Sequence, residues 1–336
     1  MPSVSKTILI LDPLLSQAWA LSKRFKAAGF RVVGCFDSDD KGVKWALTWQ
    51  VARRRVSELR CFADFNEQDG TIVPTGSFAT SELVRQNKSI TIGEILYDPA
   101  NIVFFDKCNG QSIAERSGWR VPETWTEPDA IPEEIKEVFI KPSAECFGKI
   151  RKVLSVEKTK QLLMSGEYIA QRVIRSNGVF GYGFLASNGE VLASSMHYEV
   201  YSDPPPGGSA VIIKQFRDSH FEEKCKAFIK DIKYNGWGLI ECKKDEITGE
   251  YIFLELNAKF WASLEFSMRN DKRFSSLLVG SKERERAVES MWFVGRTNVN
   301  SLRAAMKSLM VDKNICLYFE PGWTFALAWR LIHGHD

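Results

Sequence analysis

The chain has 336 residues, enough for two or three modest domains with substantial hydrophobic cores. Hydrophobic residues make up 44% of it and charged residues 26%, which is typical of a globular protein. The formal net charge of +3 is small for this length, so the composition gives no reason to expect a nucleic acid or an anionic membrane as a partner.

The sequence carries no sign of export, of membrane insertion or of a zinc site. Residues 1–6 are polar, and the apolar run that follows them is too short for a secretory signal. An apolar stretch at 315–332 is interrupted by Glu320, Pro321 and Arg330, so it is interpreted as a core strand and a packing helix. The seven cysteines form no C-x-x-C pair and the four histidines form no His-x-x-x-His arrangement. We therefore expect a cytoplasmic protein with reduced thiols.

The first third of the chain alternates predicted strands and helices. A strand over Thr7–Leu11, a helix over 16–28 and a strand over 30–36 predict a βαβ unit in a parallel sheet. The turn after the first strand lacks the G-x-G-x-x-G fingerprint of dinucleotide-binding domains. The alternation continues with a helix at 42–51, a strand at 71–74 and a helix at 78–87. Residues 1–105 are therefore expected to form one α/β domain.

Two lysines of the middle third stand at positions where anions can bind. Lys107 precedes a predicted helix at 109–117, a position that a solvent-exposed lysine would also suit. Lys141 lies near the end of an apolar strand at 138–142, where an ammonium group is costly to bury without an anionic partner such as a triphosphate. Both lysines are candidates for phosphate contacts.

A β-hairpin is predicted near the start of the last third. Residues 236–241 and 251–259 are apolar runs separated by a polar connector with a glycine turn signal. A loop of about five residues would place Glu241 opposite Glu255. Along the second strand, strict alternation predicts one face made of Tyr251, Phe253, Glu255 and Asn257.

The acids of this hairpin predict a metal site. Two carboxylates facing each other across a sheet repel, and the cost rises with burial unless a proton or a cation lies between them. With the amide oxygen of Asn257, Glu241 and Glu255 offer the oxygen ligands that Mg²⁺ prefers. The alternative is an amphipathic hairpin whose acids face solvent and pair with Lys243 or Lys259.

A shaped loop follows another predicted hairpin, at 180–200. Three prolines at 203–209 exclude a helix or a paired strand, so this segment is either a binding loop or a simple connector. His197, Tyr201 and Lys214 flank it and are candidate contacts for a substrate or a phosphate. His197 could equally be a satisfied residue of the sheet.

The remaining C-terminal sequence is dominated by helical patterns. A charged amphipathic helix is predicted at 220–234, just before the hairpin of acids. Beyond Leu264 the sequence again reads as helical. Its mixed-charge run at 282–286 is typical of a solvated helix face.

These motifs, in this order, resemble the ATP-grasp superfamily. Glu241 on one strand and Glu-Leu-Asn-Ala-Lys on the next are similar to its metal-binding hairpin, where a Glu precedes Glu-x-Asn-x-Arg. Residues 260–264 resemble the version found in carbamoyl-phosphate-synthetase-like members. The resemblance covers about residues 105–265 and implies an α/β protein of the α+β ATP-grasp type, with ATP bound between two lobes. The implied units are an N-terminal parallel α/β domain at 1–105, a small lobe at 106–170 and a metal-binding lobe at 171–336.

The resemblance also implies roles for individual residues. The implied ligands of Mg²⁺, with Mn²⁺ as an alternative, are Glu241, Glu255 and Asn257. The implied contacts to ATP are Lys107 and Lys141 on the phosphates, and Gln171, the carbonyl of Arg172 and the N–H of Ile174 on adenine. The implied acceptor-pocket residues are Gly207, Gly208 and Ser209, flanked by His197, Tyr201 and Lys214. The implied catalytic residues are Lys141 and Lys259, the latter standing where the family usually has Arg.

Two segments depart from the family pattern. The glycine-rich phosphate flap matches residues 143–150, where only Gly148 remains and Glu145 adds a negative charge. The acid that often binds the ribose has no counterpart from 173 to 182, so the ribose partner is unassigned.

The implied reaction is an ATP- and Mg²⁺-dependent ligation of a small carboxylic acid to an amine through an acyl phosphate. Two alternatives are a nucleotide-binding protein of the same fold that has lost turnover and an ATP-dependent kinase. The implied partners are the two small substrates, and the sequence leaves the choice between a monomer and a homodimer open.

Overall fold

The structure is a computed structural model that describes most of the chain. The described residues are 7–36, 58–61, 70–88, 90–145, 150–176, 178–203, 208–281, 285–296, 306–307 and 314–319. The predicted helix at 42–51, Gly148 of the flap, Gly207 and the C-terminal run after residue 319 lie outside these ranges. None of the helices within them is long and apolar enough to cross a membrane.

The N-terminal region is a parallel sheet in the order β3-β2-β1-β4. Its strands are β1 (Thr7–Leu11), β2 (Arg31–Phe36), β3 (Glu58–Cys61) and β4 (Thr71–Pro74). Helix α1 (Ser16–Ala27) connects β1 to β2, and α2 (Ser77–Arg85) follows β4. Every residue of β1 is buried, because this strand lies between β2 and β4. The predicted βαβ unit is confirmed.

A short hairpin connects this sheet to the rest of the molecule. It consists of β5 (Ile90–Ile92) and β6 (Ile95–Tyr97) and is followed by a 3₁₀ helix (Pro99–Phe105). The turn requires Gly93, whose φ is +57° and whose added Cβ would lie 2.1 Å from the carbonyl oxygen of Leu277. The hydroxyl of Tyr97 donates to the carbonyl oxygen of Ala258 at 2.7 Å, so the hairpin is tied to the C-terminal part of the chain.

Helix α3 (Lys107–Arg116) starts two residues earlier than the sequence predicts. Asp106 caps it, since its carboxylate accepts from the backbone N–H of Asn109 at 2.8 Å. The cap makes Lys107 the first residue of the helix.

The middle of the chain forms an antiparallel sheet in the order β7-β10-β8-β9. Its strands are β7 (Thr124–Trp125), β8 (Glu137–Pro142), β9 (Lys152–Ser155) and β10 (Tyr168–Arg172). Helix α4 (Val156–Met164) packs on one face, where Leu163 joins the buried Val138, Ile140 and Ala170. Lys141 is thereby carried on a strand anchored by its apolar neighbours.

The C-terminal region is a larger sheet in the order β15-β14-β11-β12-β13-β16-β17. Its strands are β11 (Val179–Ser187), β12 (Glu190–Asp203), β13 (Ser209–Gln215), β14 (Gly236–Lys244), β15 (Tyr251–Asn257), β16 (Ser290–Phe293) and β17 (Ile315–Tyr318). Helix α5 (Ser219–Asp231) covers one face, and α6 (Leu264–Asn270) and α7 (Lys272–Val279) contact β12. The described pairs are antiparallel except β16 with β17.

Two C-terminal predictions are wrong. The described chain beyond Leu264 is not helical throughout, because the apolar run of β16 pairs with β13 in the large sheet and is fully buried. Glu285 does not belong to a purely solvated face, since its carboxylate forms ion pairs with Arg24 and, at 2.6 Å, with Lys23. Short-range patterns could not reveal these long-range partners.

Candidate functional site

The acid pair lies at the edge of the large sheet, on β14 and β15. Glu241 pairs directly with Glu255, as the hairpin pattern predicts. The connecting turn contains Gly249 at φ +71°, in the left-handed region that favours glycine. The two carboxylates therefore share one face of the hairpin.

A β-bulge on β15 corrects the predicted faces of this strand. Glu241 pairs with Glu255 but Cys242 pairs with Phe253, so Leu254 is the extra residue. Tyr251 and Phe253 consequently pack in the core beneath α5, on the side opposite to Glu255. The prediction that Tyr251 and Phe253 share a face with Glu255 and Asn257 is wrong, because the extra residue reverses the alternation. The bulge turns Glu255 away from the core.

Asn257 joins the two acids. Its side-chain amide nitrogen donates to Glu241 Oε2 at 2.7 Å and to Glu255 Oε1 at 3.1 Å. Asn257 is 7% exposed and the Glu255 side chain is 12% exposed, so these groups do not project into solvent as in the amphipathic alternative. We call this set, Glu241, Glu255 and Asn257, the acid–amide cluster.

The two acids of the cluster are electrostatically unequal. Burial raises the pKa of Glu241 well above its ordinary value, and the nearby charge of Glu255 raises it further. Burial also opposes ionisation of Glu255, but the positive charges of Lys107 and Lys141 outweigh it and lower the pKa of Glu255 well below its ordinary value. No described lysine or arginine lies within salt-bridge distance of Glu241. A cation at Glu241 would therefore stabilise the site.

Three lysines from separate elements surround the acid–amide cluster. Lys107 Nζ, from the start of α3, lies 2.7 Å from Glu255 Oε2, and Lys141 Nζ, from β8, lies 3.7 Å from the same oxygen. Lys259 Nζ, just after β15, donates to Asn257 Oδ1 at 3.1 Å. The surface interpretation of Lys107 is wrong, because its side chain is 1% exposed. Lys107, Lys141 and Lys259 are far apart in the sequence, but their ammonium groups lie around the same cluster.

Lys107 and Lys141 differ in the direction in which their pKa is shifted. Burial lowers the pKa of Lys141 to about 8, since the opposing charge of Glu255 compensates only in part and Lys107 adds repulsion. Burial also opposes the charge on Lys107, but the adjacent Glu255 and Glu145 outweigh it and raise its pKa. A bound anion would therefore stabilise the charged form of Lys141 more than that of Lys107.

A cleft opens beside this cluster, between the antiparallel middle sheet and the large sheet. From the middle sheet and its flanking segment it is lined by Phe139, Lys141, Arg151, Gln171 and Arg172. From the connection and the large sheet it is lined by Ile174, Val179, Glu199, Gly208, Glu241, Lys243, Leu254 and Glu255. An elongated ligand in the cleft would contact both sheets.

Comparisons with known proteins identify the architecture. No family model and no curated protein sequence matches the chain. Solved structures do: N5-carboxyaminoimidazole synthetase from Staphylococcus aureus superposes with a TM-score of 0.61 at 12% identity, covering 90% of this chain and 86% of that one. The chain has the ATP-grasp fold.

Two further structures with this fold are similar over most of the chain. The biotin carboxylase–β,γ-ATP complex from Campylobacter jejuni has a TM-score of 0.59 at 15% identity, covering 84% of this chain and 72% of that one. L-amino acid ligase from Bacillus licheniformis has a TM-score of 0.57 at 12% identity, covering 81% and 74%. The predicted ATP-grasp fold class is confirmed.

Within the ATP-grasp fold, the residues assigned to adenine lie at the cleft. Gln171 and Arg172 end β10, and Ile174 follows two residues later. The side-chain amide of Gln171 donates to Thr124 Oγ1 at 2.9 Å, and the guanidinium of Arg172 pairs with Glu123 at 2.6 Å. These contacts hold the two side chains while the backbone passes along the cleft.

The residues assigned to the acceptor pocket are dispersed. Gly208 lines the cleft and Ser209 is exposed at the start of β13, whereas Gly207 lies outside the described residues. Tyr201 packs beside Ile212 and Trp292. Among the described residues of this group, Gly208 is the one that lines the cleft.

Lys214 lies on the face of the large sheet that is turned away from the cleft. It pairs across the ladder with Tyr198, whereas the neighbouring pair, His197 with Gln215, has the other orientation. Tyr198 contacts Phe180 on the α5 side of the sheet. Lys214 forms an ion pair with Glu289 at 3.6 Å.

His197 is a buried residue of the sheet, 2% exposed. Its ring lies over Gly181, where an added Cβ would approach the ring to 2.5 Å, and its Nε2 is 3.5 Å from Ser263 Oγ. Burial lowers its pKa to about 4, so the ring is neutral near pH 7. This burial favours a packed residue of the sheet over a substrate contact, although the buried Nδ1 of the ring has no hydrogen-bond partner among the described residues.

Sequence reasoning missed several charged residues of the cleft. Glu199 and Lys243 follow His197 and Glu241 by two positions on β12 and β14, and period-2 alternation could have found them. Burial raises the pKa of Glu199 to about 8, against the opposing charges of Arg296 and Lys243. Arg151 precedes β9 and has no comparable sequence signal.

The acid–amide cluster fits a divalent cation. It offers two carboxylates and one amide within hydrogen-bond distance of one another, and one of the carboxylates lacks a positive partner among the described residues. The carboxylate oxygens suit Mg²⁺ and Mn²⁺. The Asn257 oxygen, which here accepts from Lys259 while the amide nitrogen faces the acids, would become a third ligand once the amide group is turned over. The flanking lysines suit the phosphate oxygens that Mg²⁺ usually binds as well.

Proposed function

We propose that this protein is an ATP- and Mg²⁺-dependent ligase that joins a carboxylic acid to an amine through an acyl phosphate. The convergence of the acid–amide cluster with Lys107, Lys141 and Lys259 at one end of the cleft carries the proposal. Phosphoryl transfer needs positioning and charge neutralisation more than covalent chemistry from the protein, and this arrangement supplies both.

The cleft suggests how ATP would lie. The phosphates would point toward Lys107 and Lys141, and the base toward the backbone of Arg172 and Ile174. Glu199 and Lys243, on the opposite wall, are polar groups available to the ribose hydroxyls. The triphosphate would then end beside the acid–amide cluster.

In this proposal Glu241, Glu255 and Asn257 would hold the metal. Mg²⁺, when bound, neutralises phosphate oxygens and orients them for transfer. Lys141, with its pKa lowered to about 8, would hold a phosphate oxygen in the otherwise buried site. Lys259 would steady the transferred phosphoryl group or the acyl phosphate.

The proposed reaction has two displacement steps. An oxygen of the substrate carboxylate forms a bond to the γ-phosphorus of ATP, and the bond from that phosphorus to the β–γ bridging oxygen breaks, releasing ADP. The amine nitrogen then forms a bond to the acyl carbon, the bond from that carbon to the phosphate oxygen breaks, and the amine proton leaves to solvent. The products are ADP, phosphate and the joined acid and amine.

The fold comparisons support this class of reaction. The similar structures include a biotin carboxylase with β,γ-ATP and an L-amino acid ligase. At 15% identity or less the likeness concerns the fold, so the ligase activity itself rests on the site residues of this chain.

A panel of carboxylic acids and amines with MgATP tests the proposal. We expect ADP release that requires both an acid and an amine, and a product with the mass of the pair less one water. Phosphate retained on a product would instead identify a kinase. Tight ATP binding without ADP release would identify a binding protein.

One observation favours the binding protein as the second candidate. Two of the lysines needed for phosphate contacts, Lys107 and Lys259, are already paired with Glu145. If these pairs persist with ATP bound, the site would hold a nucleotide without completing transfer.

A further inference from the structure

Glu145 bridges two of the three lysines at the site. One carboxylate oxygen contacts Lys107 Nζ and the other contacts Lys259 Nζ, each as an ion pair. The Glu145 side chain is 5% exposed, so the pairs are largely shielded from water. The bridge therefore brings together the start of α3 and the segment after β15.

The backbone fixes Glu145 in this position. Asp106 and Ala144 form an antiparallel β-bridge. On either side of it, the N–H of Lys107 donates to the carbonyl of Ser143 at 2.9 Å and the N–H of Glu145 donates to the carbonyl of Phe105 at 3.0 Å. Lys107 and Glu145 are thus held together by the same short ladder.

The bridged lysines also contact the acid–amide cluster. Lys107 is 2.7 Å from Glu255 Oε2, and Lys259 is 3.1 Å from Asn257 Oδ1. The space between the two ammonium groups is consequently an oxyanion position next to the proposed metal ligands. A phosphate oxygen would prefer the same donors, since both ligands form charge-assisted hydrogen bonds with ammonium groups.

We propose that Lys107 and Lys259 form an oxyanion subsite that Glu145 fills from within the chain, and that the phosphate of an incoming ligand displaces it. This inference rests on the proposed function for the identity of the natural ligand. An oxyanion and the Glu145 carboxylate cannot occupy the subsite together without like-charge repulsion at short range. Glu145 therefore lowers the affinity of the site for polyphosphates.

Titration calorimetry on the full chain tests this subsite with two probes, inorganic tripolyphosphate and the magnesium complex of a non-hydrolysable ATP analogue with a β,γ-imido bridge. Glu145→Gln keeps the size of the side chain and removes its charge. We expect it to bind tripolyphosphate about tenfold more tightly than the wild type, which corresponds to about 1.4 kcal/mol. Glu222→Gln removes a surface partner of Lys226 on α5 and should change affinity by less than twofold.

Thermal unfolding adds a second readout. Without a probe, Glu145→Gln should unfold at a lower temperature than the wild type, because the buried Lys107 and the partly buried Lys259 lose a partner. Tripolyphosphate should raise its unfolding temperature by more than it raises that of the wild type. Glu145→Asp, which keeps the charge but is too short to reach both lysines, should show a smaller gain in affinity and serves if the glutamine variant does not fold.

Each outcome bears on a different proposal. Equal or weaker tripolyphosphate binding by Glu145→Gln and Glu145→Asp would overturn the subsite. If both variants bind tripolyphosphate no more tightly than the wild type but still bind the ATP analogue, the nucleotide proposal stands while the subsite fails. Tighter tripolyphosphate binding with no binding of the ATP analogue supports the subsite and overturns the nucleotide proposal.

Discussion

Two buried groups of charges in this molecule have opposite characters. Near α1 and α6, Glu265 is 1% exposed and its carboxylate pairs with Arg24 at 2.6 Å and with Arg269 at 2.7 Å. Burial opposes its ionisation, but these partners outweigh burial and lower its pKa. In the acid–amide cluster, Glu241 has no such partner among the described residues and its pKa is raised.

The contrast separates structural from functional charge. A buried acid with satisfied partners stabilises the packing of two elements and needs nothing further. A buried acid without a cation is costly in the folded chain and is best explained by a ligand that supplies the positive charge. By this criterion we propose the acid–amide cluster as a binding site and the Glu265 network as a structural one.

The largest expected effect is on turnover. Glu255→Gln should reduce ADP release by about three orders of magnitude or more, the size seen when a charge-neutralising group is removed from phosphoryl-transfer sites. Steady-state kinetics with MgATP would measure it, and circular dichroism would check the fold. Activity within tenfold of the wild type would count against the metal assignment.

The same substitution in the other group should act on stability. Glu265→Gln leaves Arg24 and Arg269 without their buried partner, so we expect a loss of about 3–5 kcal/mol in the free energy of unfolding. Urea denaturation would measure this loss. The folded Glu265→Gln variant should retain its activity. A large loss of kcat in the folded variant would contradict the distinction between a structural and a functional group of charges.

A smaller effect is expected from His197 as the pH falls. Its pKa of about 4 in the folded state lies below the value of about 6.5 expected in the unfolded state. The unfolded state therefore takes up the proton first, and stability is lost as the pH falls from about 6.5 toward 4, by up to roughly 3 kcal/mol. Melting temperatures of wild type and His197→Phe across this range should diverge, and parallel curves would refute the structural role.

The smallest effect is expected at Lys214. Its pair with Glu289 is partly exposed and lies on the face away from the cleft, so Lys214→Ala should change stability by less than about 1 kcal/mol. The KM of the Lys214→Ala variant for either substrate should stay within twofold of the wild-type value. A tenfold rise in KM would instead support the assignment of Lys214 to the acceptor pocket.

Local patterns were sufficient for much of the fold. Continuous apolar residues predicted β1 and β4 with their observed bounds, and the apolar runs around a polar connector predicted the pairing of Glu241 with Glu255. These features depend on neighbours close in sequence. The order of lysines and acids resembles that of the ATP-grasp superfamily and so implied its fold, which the solved structures confirm.

Features that depend on distant partners escaped prediction. The bulge at Leu254 follows from how β15 packs against α5, and no residue type in the strand marks it. The burial of Lys107 depends on Glu145 and Glu255, which are 38 and 148 positions away along the chain. Proximity to the proline loop made Lys214 a candidate contact, whereas its face of the sheet is set by the register of β12 with β13.

The hydrogen bond from Tyr97 to the carbonyl of Ala258 has a consequence for how this protein can be shortened. Ala258 separates Asn257 from Lys259, so one peptide oxygen steadies the link between a proposed metal ligand and a proposed catalytic lysine. The donor comes from a hairpin that precedes both lobes. A truncated chain that begins after residue 97 would lose this anchor, and with it the fixed distance between two groups that the proposed function places at the same phosphate.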